Sequence, residues 1–211
     1  MTRLDAQALA DAVAGTLRNY NEVATRFRSA TWDHDVSQNI GALLDAIRGT
    51  PPFAILDFGC GPGRDLIEFT RRGHRATGLD GSIELARMAR EASGCEVLRQ
   101  DFLHLDLPEN TFDGIFANAT LQHVPAQELP RVLCELQAAL KPGGVLFASI
   151  PHGDGREGWN NDRYSVYHAP ESWDSACVAA GFEKASSYFR PEGSPREQQP
   201  WYASVWCKAA R

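Results

Sequence analysis

Residues 55–65 read Ile55-Leu56-Asp57-Phe58-Gly59-Cys60-Gly61-Pro62-Gly63-Arg64-Asp65 and leave the backbone few options. Ala54, Ile55, Leu56 and Phe58 form an apolar run of the kind a central parallel strand shows when both sheet faces are covered. Gly59, Gly61 and Gly63 then permit a sharp turn and a close approach of backbone to a ligand. A helix starting near Arg64 would point its unpaired N–H groups into that turn.

The rest of the chain alternates in the same way. Apolar residues at helical spacing predict helices over residues 4–18 (Leu9, Val13, Leu17), over Tyr20 to Phe27, and over Val36 to Ile47, the last ended by Gly49 and Pro51-Pro52. After the glycine turn come a helix ended by Gly73, a strand at 75–80, and a helix from Ser82 to about Ala92. A strand at 96–100 and a strand at 112–118 follow. Next is a helix beginning at Pro125 or Pro130, a turn at Lys141-Pro142-Gly143-Gly144, and a strand at 145–150. A helix from Pro170 to Gly181 precedes two last strands near 183–189 and 201–207. This pattern predicts an α/β fold with a doubly wound sheet of seven strands. Ligands bind such sheets beyond the carboxyl ends of the strands, where Asp57, Asp80, Asp101 and Asn118 are expected.

Composition narrows the partners. With 211 residues the chain supports one compact domain. A net charge of −6 and no block of Lys or Arg disfavour nucleic acid. The five cysteines contain no C-x-x-C pair, which argues against zinc and against a disulfide framework, so no metal is expected and a reducing, cytoplasmic setting is. No apolar run approaches membrane-spanning length.

A dinucleotide-binding fingerprint, G-x-G-x-x-G, would need glycine where this chain has Arg64. Glycines at 59, 61 and 63 with an acid at 57 instead resemble motif I of the class I S-adenosylmethionine (SAM) methyltransferases. Asp80, 17 residues beyond Gly63, suits a carboxylate that accepts both ribose hydroxyl protons. Gln100-Asp101-Phe102, Phe112-Asp113-Gly114-Ile115-Phe116, Leu121-Gln122-His123-Val124 and Leu140-Lys141-Pro142-Gly143-Gly144 match further motifs. Together they resemble the branch typified by small-molecule and ubiquinone-biosynthesis methyltransferases, over roughly residues 20–150.

The resemblance implies a Rossmann-like, mostly parallel seven-stranded sheet with an antiparallel last strand. An N-terminal helical cap (1–50) would pack on a SAM-binding core (51–211). It implies SAM as cofactor, S-adenosylhomocysteine as product, and a small-molecule acceptor methylated at N, O or S. Tyr20 would touch the methionine end, and Asp57, Gly59, Gly61 and Gly63 would form the turn. Asp80, Gly81 and Ser82 would flank the ribose, Asp101 and Phe102 would hold adenine, and Asn118 would face the methionyl ammonium. His123 lies in a motif near the sulfonium and is a candidate catalytic group.

Two long stretches, 151–169 and 190–201, read as loops that close over the acceptor. In that reading Tyr167 is a flat wall and Arg190 a carboxylate partner, which suits a zwitterionic imidazole amino acid such as thiohistidine; quinones and phenols also fit. RNA or protein methylation, or a non-catalytic SAM-binding module, are the competing readings. The chain is expected as a monomer or homodimer.

Overall fold

The computed structural model describes residues 3–209; the outer bounds expected for the cap and core, residues 1 and 211, lie outside them. Its main sheet has seven strands: β1 (Ala54–Phe58), β2 (Arg75–Leu79), β3 (Val97–Leu98), β4 (Phe112–Asn118), β5 (Leu140–Pro151), β8 (Phe182–Arg190) and β9 (Trp201–Lys208). The order is β3-β2-β1-β4-β5-β9-β8. Strands β1 to β5 are parallel, β9 is antiparallel to β5 and β8, and β8 therefore runs with the first five. The order reverses between β1 and β4, so the carboxyl ends of β1, β2 and β4 open one crevice.

Strand alternation sorts the core into two layers. Leu56, Phe58, Ile115, Ala117, Leu146 and Ala148 face α5 (Leu129–Ala139) and α6 (Pro170–Ala179) with Leu133, Leu136 and Trp173. Ile55, Phe116, Phe147 and Val205 face the other way, onto Ile40 and Leu43 of α2 (Ser37–Ala46) and Phe69 of α3 (Arg64–Arg71). Asp57 and Asn118 share this second parity at the strand ends, which turns both toward the α2 side.

Four expectations change. The helices expected at 4–18 and 20–27 are one helix, α1 (Ala6–Thr31), N-capped by Asp5, whose carboxylate accepts the Ala8 N–H at 2.8 Å. The apolar stripe runs on without a breaker. Gly15, inside α1, is where Trp159 lies: a Cβ there would come 2.5 Å from the indole Cη2. Strand β3 is confined to Val97–Leu98, because the Gln100 side chain turns aside and bonds both the N–H and the carbonyl of Asp106. Strand β5 starts at Leu140, just before the expected turn, and runs through it, pairing Leu140 with Phe112 before the register shifts across the glycines to pair Val145 with Gly114.

The fourth change is the largest. The stretch 151–169 is not a loop. It contains a hairpin, β6 (Arg156–Asn160) and β7 (Arg163–Tyr167), turned at Asn161 with φ 53°. The hairpin docks on α1, where the Tyr164 N–H donates to Thr16 Oγ1 at 2.9 Å. Among the described residues no helix is long and apolar enough to cross a membrane.

Gly114, in the middle of β4, lies against Leu43 of α2 and Ile47 at its end. A Cβ there would meet Ile47 Cδ1 at 2.8 Å and Ile55 Cδ1 at 3.0 Å. Gly114→Val should lower the unfolding free energy by about 1–3 kcal/mol through overpacking, measured by chemical denaturation. An unchanged midpoint would mean that α2 does not sit on β4.

Candidate functional site

The crevice at the switch point is covered by α1, leaving a partly open cleft whose empty space, solvent at its mouth included, is about 1080 Å³. Gly59, Gly61, Asp80, Gly81, Asp101, Phe102 and Asn118 line it from the sheet side. Val13, Leu17, Tyr20 and Phe27 line it from α1, with His34 and Val36 from the segment that follows.

The glycines of the turn do different work. At Gly59 (φ 77°) a Cβ would lie 2.4 Å from Thr120 Cγ2, and at Gly63 (φ 91°) 2.8 Å from the Ala89 backbone, so these two serve close packing. At Gly61 (φ 53°) the nearest atom is Phe27 Cε1 at 3.6 Å, across the cleft. A side chain there would occupy ligand space.

Asp80 is fixed by two backbone donors: Gly61 N–H to Oδ2 at 2.9 Å and Ser82 N–H to Oδ1 at 2.8 Å. Burial nevertheless raises its carboxyl to about 6, and the two N–H bonds oppose that rise. Ser82 does not line the cleft. It caps α4 (Ile83–Ser93) by accepting the Leu85 N–H, and its hydroxyl donates to Asn21 Oδ1 at 2.7 Å. Asn21 also accepts the Glu84 N–H, so α1 is anchored to the start of α4 beside the carboxylate.

Asp101 lines the cleft while accepting from the Leu103 and His104 N–H groups and pairing with the His104 ring at 3.0 Å. Phe102 stacks on Phe58 with ring centroids 4.6 Å apart. Asn118 lines the cleft and accepts from Asn39 Nδ2 at 2.8 Å. Asp57 lies beneath the turn, 2% exposed, and is not part of the cleft wall. Burial, then the charges of Asp65 and Asp80, push its carboxyl well up, and its Oδ2 has no hydrogen-bond partner among the described residues.

Tyr20 and His123 form one unit. A backbone carbonyl can only accept, so His123 Nδ1–H donates to Tyr164 O at 2.8 Å. Nε2 of the neutral ring then accepts the Tyr20 hydroxyl at 2.9 Å, and Arg163 Nη1 donates to the Tyr20 oxygen at 3.2 Å. Burial lowers the His123 imidazole to about 4, with Arg163 also lowering it, so the ring is uncharged at neutral pH. Both of its nitrogens are bonded within the protein.

The structure places Tyr167 and Arg190 outside the cleft wall. The Tyr167 hydroxyl accepts from Asn160 Nδ2 at 2.6 Å, and Arg156 lies over its ring. Arg190 donates to Asn39 Oδ1 at 2.8 Å and to the Asp35 carbonyl at 3.0 Å, which holds the entry to α2. Residues 191–200 fold back on their own strands, with Gln199 Nε2 donating to Pro191 O and Arg196 over the Phe189 ring. No residue of 151–201 lines the cleft, and α1 supplies the cover instead. Sequence reasoning missed Asn21, Asn39, Arg64 and Arg163. Each acts through a hydrogen bond to a chain segment far away in sequence, which no local spacing reveals.

Comparison with known proteins agrees with this geometry. Residues 55–144 match the family described as Methyltransferase domain. Trans-aconitate 2-methyltransferase of Rhodopseudomonas palustris is 38% identical over 112 residues, covering 52% of this chain and 43% of that protein. Demethylmenaquinone methyltransferase of Thermobifida fusca is 31% identical over 157 residues, covering 70% and 63%. The chain spans between 30% and 63% of the length of the curated relatives it matches. Among solved structures, the 1,6-didemethyltoxoflavin-N1-methyltransferase of Burkholderia thailandensis, with 1,6-didemethyltoxoflavin and S-adenosylhomocysteine bound, superposes with a TM-score of 0.79. It is 23% identical, with 99% of this chain and 93% of that one covered.

The cleft suits SAM on grounds internal to this structure: a buried carboxylate fixed by backbone donors, and an open cradle at Gly61 that a Cβ would fill. Ribose hydroxyls would donate to the ionised form of Asp80, so binding below pH about 6 would have to expel a proton. The dissociation constant for SAM should therefore rise by up to about tenfold per pH unit below that point. Asp80→Asn should weaken binding about ten- to a hundredfold at pH 7 and flatten the pH profile. Calorimetry across this range checks both, and a wild-type affinity independent of pH and unmoved by the substitution would remove Asp80 from the site.

Proposed function

We propose that this chain, whose residues 55–144 form a class I SAM-dependent methyltransferase domain, transfers the sulfonium methyl of SAM to an N, O or S atom of a small molecule. The observation that carries this reading is the cleft itself. It brings the glycine turn, Asp80, Asp101 and Phe102 on the sheet side together with Tyr20 and Phe27 of α1 and His34 around one cleft. SAM supplies the methyl group and its own leaving group, and the protein's tasks are alignment and exclusion of water.

Particular residues would carry those tasks. Asp80, with its two backbone donors, would clasp the ribose; Phe102 and Asp101 would border the adenine; Asn118, held by Asn39, would face the amino-acid end. Leu17, whose methyls stand 2.8 Å from where a Cβ on Gly81 would be, seals the cover over the turn. The Tyr164–His123–Tyr20–Arg163 chain fixes the Tyr20 hydroxyl at the cleft wall, with the His123 ring uncharged. The net charge of −6 favours a small acceptor over nucleic acid.

Incubation with methyl-labelled SAM and pooled small-molecule extract should move label into a low-molecular-weight product. RNA and protein offered alone should stay unlabelled. Transfer into RNA or protein, or SAM binding with no transfer to any fraction, would replace this reading with one of its competitors.

A further inference from the structure

The amide of Asn118 closes β4 on the cleft wall, and a chain of hydrogen bonds decides which of its two ends meets a ligand. The oxygen and nitrogen of an asparagine side chain are told apart by their partners. Here the chain begins at an arginine, which can only donate. Arg190 Nη1 lies 2.8 Å from the Asn39 amide, so the atom it meets is Oδ1, and the Tyr188 hydroxyl donates to the same oxygen at 2.9 Å. Both donors come from one face of β8, two residues apart. The second arm of the guanidinium donates to the Asp35 carbonyl at 3.0 Å, which fixes the arginine in turn.

Asn39 therefore turns its Nδ2 the other way, where it donates to Asn118 at 2.8 Å. The Asn118 atom that receives this bond is Oδ1. What remains is Asn118 Nδ2, with two N–H donors and no partner among the described residues. Asn39 is 2% exposed, and Asn39, Tyr188 and Arg190 all lie behind the cleft wall rather than on it.

A carboxylate in this cleft needs such donors. Arg64 is the only Lys or Arg on the wall among the described residues. It already donates to both Asp65 oxygens and to the Thr31 and His34 carbonyls. An amide with both N–H groups free can meet a carboxylate without that cation. An ammonium group set against the same Nδ2 would find a donor where it needs an acceptor.

We propose that Arg190 is a positioning residue for SAM: through Asn39 it holds Asn118 with its amide N–H groups toward the cleft, where they donate to the carboxylate of the methionine end. This rests on the SAM-dependent reading above. It replaces the ammonium contact that the resemblance gave Asn118, and it has Arg190 serve a carboxylate through two asparagines rather than by touching it.

Asn39→Asp isolates the effect, because it changes no atom of the cleft wall. The new carboxylate accepts from Arg190 and Tyr188 as before but has no N–H to give. Asn118 must then turn its own Nδ2 inward and show Oδ1 to the ligand. The test is calorimetric titration at neutral pH with S-adenosylhomocysteine and with its decarboxylated analogue, which keeps the adenosine, the sulfur and the amine. The unaltered protein should bind S-adenosylhomocysteine at least about tenfold tighter than the analogue. Asn39→Asp and Asn118→Asp should each lower that ratio to about threefold or less, by weakening S-adenosylhomocysteine while the analogue binds as before. Arg190→Met should lower the ratio too, and Arg190→Lys, which keeps a donor-only cation, should restore it. Should Asn39→Asp fail to fold, the ratios for Asn118→Asp and Arg190→Met decide. An unchanged ratio in these variants, equal binding of the two ligands by the unaltered protein, or a parallel loss of both ligands in every variant would overturn the proposal while leaving methyl transfer standing. Failure of the unaltered protein to bind S-adenosylhomocysteine is a separate result, and it would contradict the underlying reading and this proposal with it.

Discussion

The Asp80 carboxylate is the joint on which the site depends. One oxygen takes the Gly61 N–H from the glycine turn, and the other takes the Ser82 N–H at the head of α4. Hydrogen bonds to a charged group contribute about 1.5–3 kcal/mol each, so two of them can hold a side chain that burial would otherwise push toward its neutral form. The geometry follows from the sheet. Strands β1 and β2 are parallel and in register, Phe58 beside Leu79, so the residues just past each end meet. The turn's own N–H groups at Gly59 and Cys60 are taken by the Leu79 carbonyl, which leaves Gly61 N–H for Asp80.

The cover is built onto that joint. Asn21 links α1 to Ser82 and Glu84, and Leu17 rests on Gly81. At the other end of α1, Arg64 reaches from the first turn of α3 to the Thr31 and His34 carbonyls. Between these points the hairpin braces α1 from outside through Thr16, Gly15 and Tyr20. A helix fastened at both ends and braced in the middle makes a defined wall, which is what an enzyme relying on alignment needs.

Much of this was legible in the sequence where local rules apply. Asp80, Asp101 and Asn118 line the cleft at and beyond the strand ends, as a parallel strand followed by a turn leads one to expect. The antiparallel return of β9 came through the resemblance and agrees with the topology. The hairpin escaped because Gly158 interrupts the alternation that marks strands, and because it docks on α1 more than a hundred residues earlier. Arg190 shows the limit of reading chemistry from residue type. A guanidinium fork suits a carboxylate, but it satisfies a buried asparagine and a helix-entry carbonyl equally well, and Asn39 is what the fold puts beside it. Asp57 shows the same limit from the other side, since parity turns it under the turn and away from the cleft.

The most direct test is a crystal structure of the protein grown with S-adenosylhomocysteine. The account predicts the ligand under α1, its ribose hydroxyls on Asp80, its base beside Phe102, and its amino-acid end at the glycine turn near Asn118. A ligand lying outside this cleft, or one whose ribose contacts some group other than Asp80, would contradict it.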